Sequence, residues 1–349
     1  MTGAEIKNSL KLAGIRLFLF SIFCLAIPFL LIWCTLVIRF SFPDPIQVVV
    51  AWLFPITLIS ILLFSKNLTR SLQIFASSCA VVFLCYTAIR PSNSRDWMDD
   101  VAKIPEISFS DRQFTIKNFR HFKYVSSHEF EKNYEERSYN LDDLEGTDFI
   151  LSYWDGHRSI AHTFVSFRFK NQQPICISVE VRKEKGEKYH PVNGLFKQYE
   201  IIYVIGDERD MIPLRTHHRG EETFLYELDI DQKQSEVFLM ALLKDASSLK
   251  DSPRFYHSLN QNCTTTLVNH INSIPGFKVD ITMNMVLNGL SDYAVYLLKG
   301  IKNDLPFITV KQCSYITETS LKTPLNENFS QKIRDSINQK ITQELNHSK

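Results

Sequence analysis

The chain has 349 residues, enough for one large domain or two small ones, and its charge is nearly balanced, with 39 lysines and arginines against 38 aspartates and glutamates. That balance gives no basic footprint of the kind nucleic-acid binding leaves, so no nucleic-acid partner is expected. The apolar residues are not spread evenly but crowd into the first quarter of the chain.

Three uncharged runs open the sequence, at 17–38, 46–64 and 72–89. About 20 helical residues cross a hydrocarbon core, and a helix is the single-segment solution there because its backbone groups pair internally. The third run is the shortest and carries Gln73, Ser77 and Ser78; Pro28 and Pro55 sit inside the first two, as membrane helices tolerate. Lys7, Lys11 and Arg16 precede the first run and Lys66 and Arg70 follow the second, whereas the loop between these two runs offers only Arg39, beside Asp44. The positive-inside rule then makes the tail and second loop cytoplasmic and places everything after Ile89 outside. A cleaved signal peptide fits poorly, since the first apolar run is long, shows no small-residue cleavage site and is followed by two more. The expected organisation is a membrane region at 1–89, an outer domain at 90–310 and a polar tail at 311–349.

Four cysteines, Cys24, Cys34, Cys79 and Cys85, lie in the spans; Cys176, Cys263 and Cys313 lie beyond them. Three is odd for an oxidising compartment, so at least one thiol there stays unpaired within the chain. After a polar linker from Arg90 to Arg95, strand patterns fall at 113–119, 161–169, 175–182, 199–205 and 223–228. Helical patterns follow at 235–249, 263–273 and 285–298. Strands first and helices later indicate an α+β domain. In the tail, 329–345 reads as a surface helix.

The two strands at 161–169 and 175–182 are joined by a hairpin-like connection. Along the first, His162, Phe164, Ser166 and Arg168 share one face; along the second, Cys176, Ser178, Glu180 and Arg182 do. A near-symmetric register therefore brings His162 within cross-strand reach of Glu180 or Arg182. The second signal is Asn260-Gln261-Asn262-Cys263-Thr264-Thr265-Thr266, just before an apolar helical pattern. Asn262 is a good N-cap, which puts Cys263 in the first helical turn, where free N–H groups and the helix dipole favour a thiolate. A helix-start cysteine with a strand histidine is the papain-type arrangement, here in the order His then Cys. Each residue also has a plainer reading: Cys263 as a small buried residue, His162 as a packed strand histidine, Glu180 as a charge on a solvated face.

Four stretches in order carry a family resemblance: Ala161-His162-Thr163-Phe164 with Ser166-Phe167; Ser178-Val179-Glu180-Val181-Arg182 with Glu184-Lys185-Gly186; Tyr199-Glu200 with Tyr203-Val204-Ile205; and Phe255-Tyr256 with Asn262-Cys263-Thr264-Thr265. From about Arg95 to about Pro306 the chain resembles the periplasmic domain of the Lnb-type bacterial lipoprotein N-acyltransferases. The resemblance implies a papain-like (permuted NlpC/P60-like) domain on the periplasmic side of a bacterial inner membrane. It implies transfer of a fatty acyl chain from a membrane phospholipid to the amine of a lipoprotein, with Cys263 matching the nucleophile and His162 the base. Glu180 matches a recurring acidic position. Asn262, Thr264 and the N–H groups of the helix start are candidates for positioning and for holding an oxyanion. In that family the membrane helices follow the periplasmic domain, whereas here three spans precede it, which leaves a hydrolase of the same dyad (phospholipase, thioesterase or peptidase) and a non-catalytic envelope binding module as alternatives.

Other features are weaker. Arg182, Arg209 and Arg215 are candidate contacts for a phosphate headgroup. His217-His218, read on a strand, point to opposite faces, and His157 and His162 lack further ligands at metal spacing. No phosphate-cradling glycine loop is present, and neither metal nor cofactor is expected. Cys176 shares the face of Ser178, near the site or simply buried.

Overall fold

The computed structural model describes residues 3–41, 46–154, 156, 158–280 and 288–347; His157 and the start of the helical pattern at 285–298 lie outside them. The chain divides into two units. The first, Met1–Pro91 with Val192–Gln198, holds α1 (Gly3–Ser41), α2 (Ile46–Phe64) and α3 (Leu68–Ala88). All three contain stretches long and apolar enough to cross a membrane. The third begins four residues before its uncharged run because Asn67 caps it, its Oδ1 accepting from the Arg70 N–H at 3.0 Å. Cys34, Val37, Ala51, Leu58, Phe75 and Val82 form the buried seam between the helices. The short segment Val192–Gln198 packs into the same unit: Phe196 stacks on Phe40 at 5.7 Å, and Ser41 Oγ donates to the Phe196 carbonyl at 2.6 Å.

The second unit, Ser92–Pro191 with Tyr199–Lys349, is built on one sheet. Its strands are β1 (Glu106–Ser110), β2 (Gln113–Arg120), β5 (Tyr134–Asn140), β6 (Leu144–Tyr153), β7 (Ala161–Phe169), β8 (Gln172–Arg182), β9 (Glu200–Asp207) and β10 (Glu222–Glu227), with β3 (Lys123–Tyr124) and β4 (Phe130–Glu131) forming a separate small ribbon. The order is β1-β2-β9-β8-β7-β6-β10, with β5 also on β2. Neighbours are antiparallel except β2 and β9, which touch at Arg120↔Gly206. There a Cβ on Gly206 would lie 2.6 Å from the Arg120 carbonyl oxygen, so this approach needs glycine.

Helices cover both faces, giving the α+β class. Thr163, Val165 and Phe167 belong to the face of Ile177 and Val179, packed under α5 (Gln232–Ser248) and α6 (Cys263–Ile271). Phe164 and Cys176 lie on the other, with Met211 and Ile212 of α4 (Glu208–Pro213). Among the described residues the further α-helices are α7 (Ser291–Leu297), α8 (Phe307–Cys313), α9 (Thr317–Lys322) and α10 (Phe329–His347).

Two readings are corrected here. The region after residue 311 is no loose polar tail. Phe329, Ile333 and Ile337 of α10 are buried in the second core, and Arg334 joins Asp148 at 2.6 Å and Glu208 in a buried ion cluster. His217 and His218 lie on a wide helical turn, Leu214–His218, not on a strand.

Candidate functional site

The backbone sets the site. The β7–β8 ladder starts at Phe164↔Ser178 and runs away from His162, so at His162 and Glu180 the two strands are no longer paired to each other. On the opposite side β7 stays bound to β6, with Ser152↔His162. Where β7 and β8 part, α6 brings Cys263 beside Thr163 and His162, both of which favour its thiolate.

Why α6 begins at Cys263 is legible locally. Asn262 is extended (φ −102°, ψ −178°), its Oδ1 accepts from the Thr265 N–H at 2.9 Å, and Thr265 Oγ1 accepts from the Asn262 N–H at 3.0 Å: a capping box. Asn262 Nδ2 donates to the Ser258 carbonyl at 2.8 Å, tying the cap to the turn before it. Thr264 Oγ1 meets Thr163 Oγ1 at 3.0 Å, pinning the first turn of α6 to β7. Both side chains therefore position the helix. The Cys263 and Thr264 N–H groups of the helix start are further candidate oxyanion donors.

His162 Nε2 lies 2.6 Å from Ser178 Oγ and 3.2 Å from Glu180 Oε1, and Ser178 Oγ donates to Glu180 Oε1 at 2.7 Å. Arg215, buried to 1%, donates to the same Glu180 oxygen at 2.9 Å and lies 4.3 Å over the Phe164 ring. Burial opposes charge on His162, but Glu180 and then Cys263 raise its pKa to about 9. Burial likewise opposes the thiolate, but the facing imidazolium, its hydrogen bond and that from Thr163 bring Cys263 down to about 6. Glu180 is half-buried, and although that burial opposes its charge, His162 and Arg215 hold its carboxyl well below the usual range. These are the conditions for a thiolate–imidazolium pair in a carboxylate's field.

The structure thus brings Cys263, His162 and Glu180 together. It also adds residues that sequence reasoning did not single out: Ser178, which bridges the imidazole and the carboxylate, and Asn288. Asn288 Nδ2 donates toward Cys263 Sγ at 3.6 Å, while its Oδ1 accepts from the Ala161 N–H at 2.9 Å. Nothing in the pattern around Asn288-Gly289 marks it beyond a turn signal. Tyr189, edge-on to Tyr256 at 6.2 Å and to Trp154 at 6.0 Å, belongs to an aromatic group beside the site.

Other candidates are placed elsewhere. Cys176 is buried on the second-core side, where burial pushes its thiol well above the ordinary range. The three arginines face inward: Arg182 donates to Val101, Ala102 and Asn93, Arg209 to Asp207, Arg215 to Met211 and Glu180. They are committed to the fold and do not form a headgroup cradle.

A sheet covered by helices on both faces, with a helix-start cysteine against a strand histidine and three apolar helices upstream, defines a membrane-associated α+β protein with a thiol–imidazole site. Residues 130–293 match the family model described as the Lnb N-terminal periplasmic domain, in agreement with the motif resemblance; the four motifs, Cys263, His162, Glu180 and Asn288 all fall inside that match. No curated protein and no solved structure matches the chain.

Proposed function

We propose that this protein is a membrane-tethered thiol acyltransferase, moving a fatty acyl chain from a phospholipid to the N-terminal amine of a lipoprotein through a thioester on Cys263. The observation that carries the reading is the contact of Cys263, at the capped start of α6, with a histidine itself held by Glu180 and Ser178. The match of residues 130–293 to the Lnb N-terminal periplasmic domain, together with the four motifs, supports the lipoprotein context.

The chemistry follows from the groups present. With Nε2 engaged by Ser178 and Glu180, Nδ1 is the ring nitrogen that serves the sulfur. The Cys263 thiolate attacks an ester carbonyl; a C–S bond forms and the carbonyl electron pair moves onto oxygen. Collapse breaks the ester C–O bond, and the His162 imidazolium protonates the departing lysophospholipid oxygen. The lipoprotein amine then attacks the thioester, passing a proton to His162 and regenerating the thiolate. The positive-inside reading, with a cytoplasmic N-terminus and a periplasmic catalytic domain, tethers that domain to the bilayer in which both substrates reside.

The test is intact-mass spectrometry of the full-length protein after incubation with phospholipid vesicles. A hydroxylamine-sensitive acyl adduct is expected on the wild type and on neither Cys263→Ala nor His162→Ala. Adding a diacylglyceryl-cysteine peptide is expected to clear the adduct onto the peptide amine. Turnover to free fatty acid with no peptide acylation would make the protein a hydrolase instead. No adduct and no lysophospholipid would sink acyl chemistry altogether.

A further inference from the structure

We propose that Asn288 is a catalytic residue whose side-chain amide donates a hydrogen bond to the oxyanion formed on the carbonyl attacked by Cys263. The proposal rests on the acyl-transfer reading above and assigns a role to a residue outside the Cys–His–Glu set.

Asn288 is 9% exposed, and its Nδ2 lies 3.6 Å from Cys263 Sγ. The attacked carbon is bonded to that sulfur, so its oxygen sits one bond further out, within reach of a donor already touching the sulfur. The Cys263 and Thr264 N–H groups are among the first of α6, which have no partner within the helix. An amide side chain and a helix-start N–H together make a two-donor oxyanion hole. Thr264 Oγ1, bonded to Thr163 Oγ1, also lies 3.9 Å from the sulfur, but Asn288 Nδ2 comes closer and carries two N–H groups.

Its position is built at some cost. Asn288 adopts φ +27°, a backbone conformation that side chains rarely take. Three features hold it there. Its Oδ1 accepts from the Ala161 N–H, next to His162. Gly289 packs so closely that a Cβ would meet the Arg158 carbonyl oxygen. The Gly289 carbonyl accepts from Tyr153 Oη at 2.7 Å, and that hydroxyl accepts from Lys311 Nζ at 2.7 Å, itself paired with buried Asp292 at 2.7 Å. With Oδ1 fixed by Ala161, the amide orientation is determined and its N–H₂ faces the sulfur.

The discriminating experiment compares two reactions of Cys263 in the full-length protein: alkylation by iodoacetamide, which needs the thiolate but no oxyanion, and acyl-adduct formation with phosphatidylethanolamine vesicles, which needs both. Asn288→Ala is expected to slow acyl-adduct formation by about 10²–10³-fold while alkylation stays within about threefold. Asn288→Gln is expected to recover part of the loss. Should Asn288→Ala fold poorly by thermal melting, Asn288→Asp keeps the acceptor for Ala161 and removes the donor, and its acyl-adduct rate must fall further than its alkylation rate. Equal loss in both reactions would make Asn288 a brace for the thiolate and overturn the proposal, as would unchanged acylation. A wild type that alkylates but never acylates or releases lysophospholipid would instead fail the acyl-transfer reading, and this proposal with it.

Discussion

Neither Cys263 nor His162 is exposed enough to carry charge cheaply alone, because an unpaired buried ion costs several kcal/mol. Each supplies the other's counter-ion, and Glu180 tips the balance toward the charged pair. The depressed thiol is ionised above about pH 6 and the raised imidazolium persists below about pH 9. Acyl-adduct formation should therefore be bell-shaped with limbs near those values. Glu180→Gln should lower the histidine, pulling the alkaline limb of the bell inward and cutting the peak rate by roughly tenfold. A pH profile identical to wild type would remove Glu180 from the mechanism. Alternation on two strands put His162 and Glu180 on one face and an N-cap put Cys263 at a helix start, while the four-motif resemblance was what joined Cys263 to His162. Asn288 was not readable: its role depends on a contact between loops far apart in the chain, and no local period encodes that.

At the scale of elements, α6 makes its cysteine reactive by where it starts. Asn262→Ala removes the cap oxygen and the bond to Ser258, at a cost of about 1 kcal/mol. It should also fray the turn that holds the sulfur. The expected outcome is a lower melting temperature together with a Cys263 thiol shifted above about 6, read by alkylation rate against pH; a thiol that stays put would show that the cap serves stability alone. The strands at 161–169 and 175–182 were legible because each repeats apolar residues at period two. The longest buried strand after them, β6, was not, since Glu145, Gly146 and Asp148 interrupt its pattern. Asp148 is tolerated there only because Arg334 arrives from α10 to neutralise it. The same contact explains why α10 looked like a surface helix. Its polar residues dominate the composition, while Phe329, Ile333, Ile337 and Ile341, spaced by four, form the stripe that docks.

Across the whole molecule the apolar runs at 17–38, 46–64 and 72–89 were plain from composition, and the boundary of the outer unit near Pro91 followed from them. The far end of that unit was hidden, because its integrity depends on charges rather than on an apolar run. Arg334→Met should leave Asp148 and Glu208 without their shared partner and cost about 3–5 kcal/mol, visible as a melting temperature lower by roughly 10 °C. A change of a degree or two would mean that Arg168, 3.4 Å from Asp148, suffices. The pairing also has a temporal side. Asp148 and Arg334 are 186 residues apart in sequence, and a ribosome delivers residues at about 5–20 per second. For on the order of ten seconds or more after Asp148 is made, its carboxylate has no arginine from α10 to receive. Until then Arg168, made soon after Asp148 on the neighbouring strand, is the cation at hand for it.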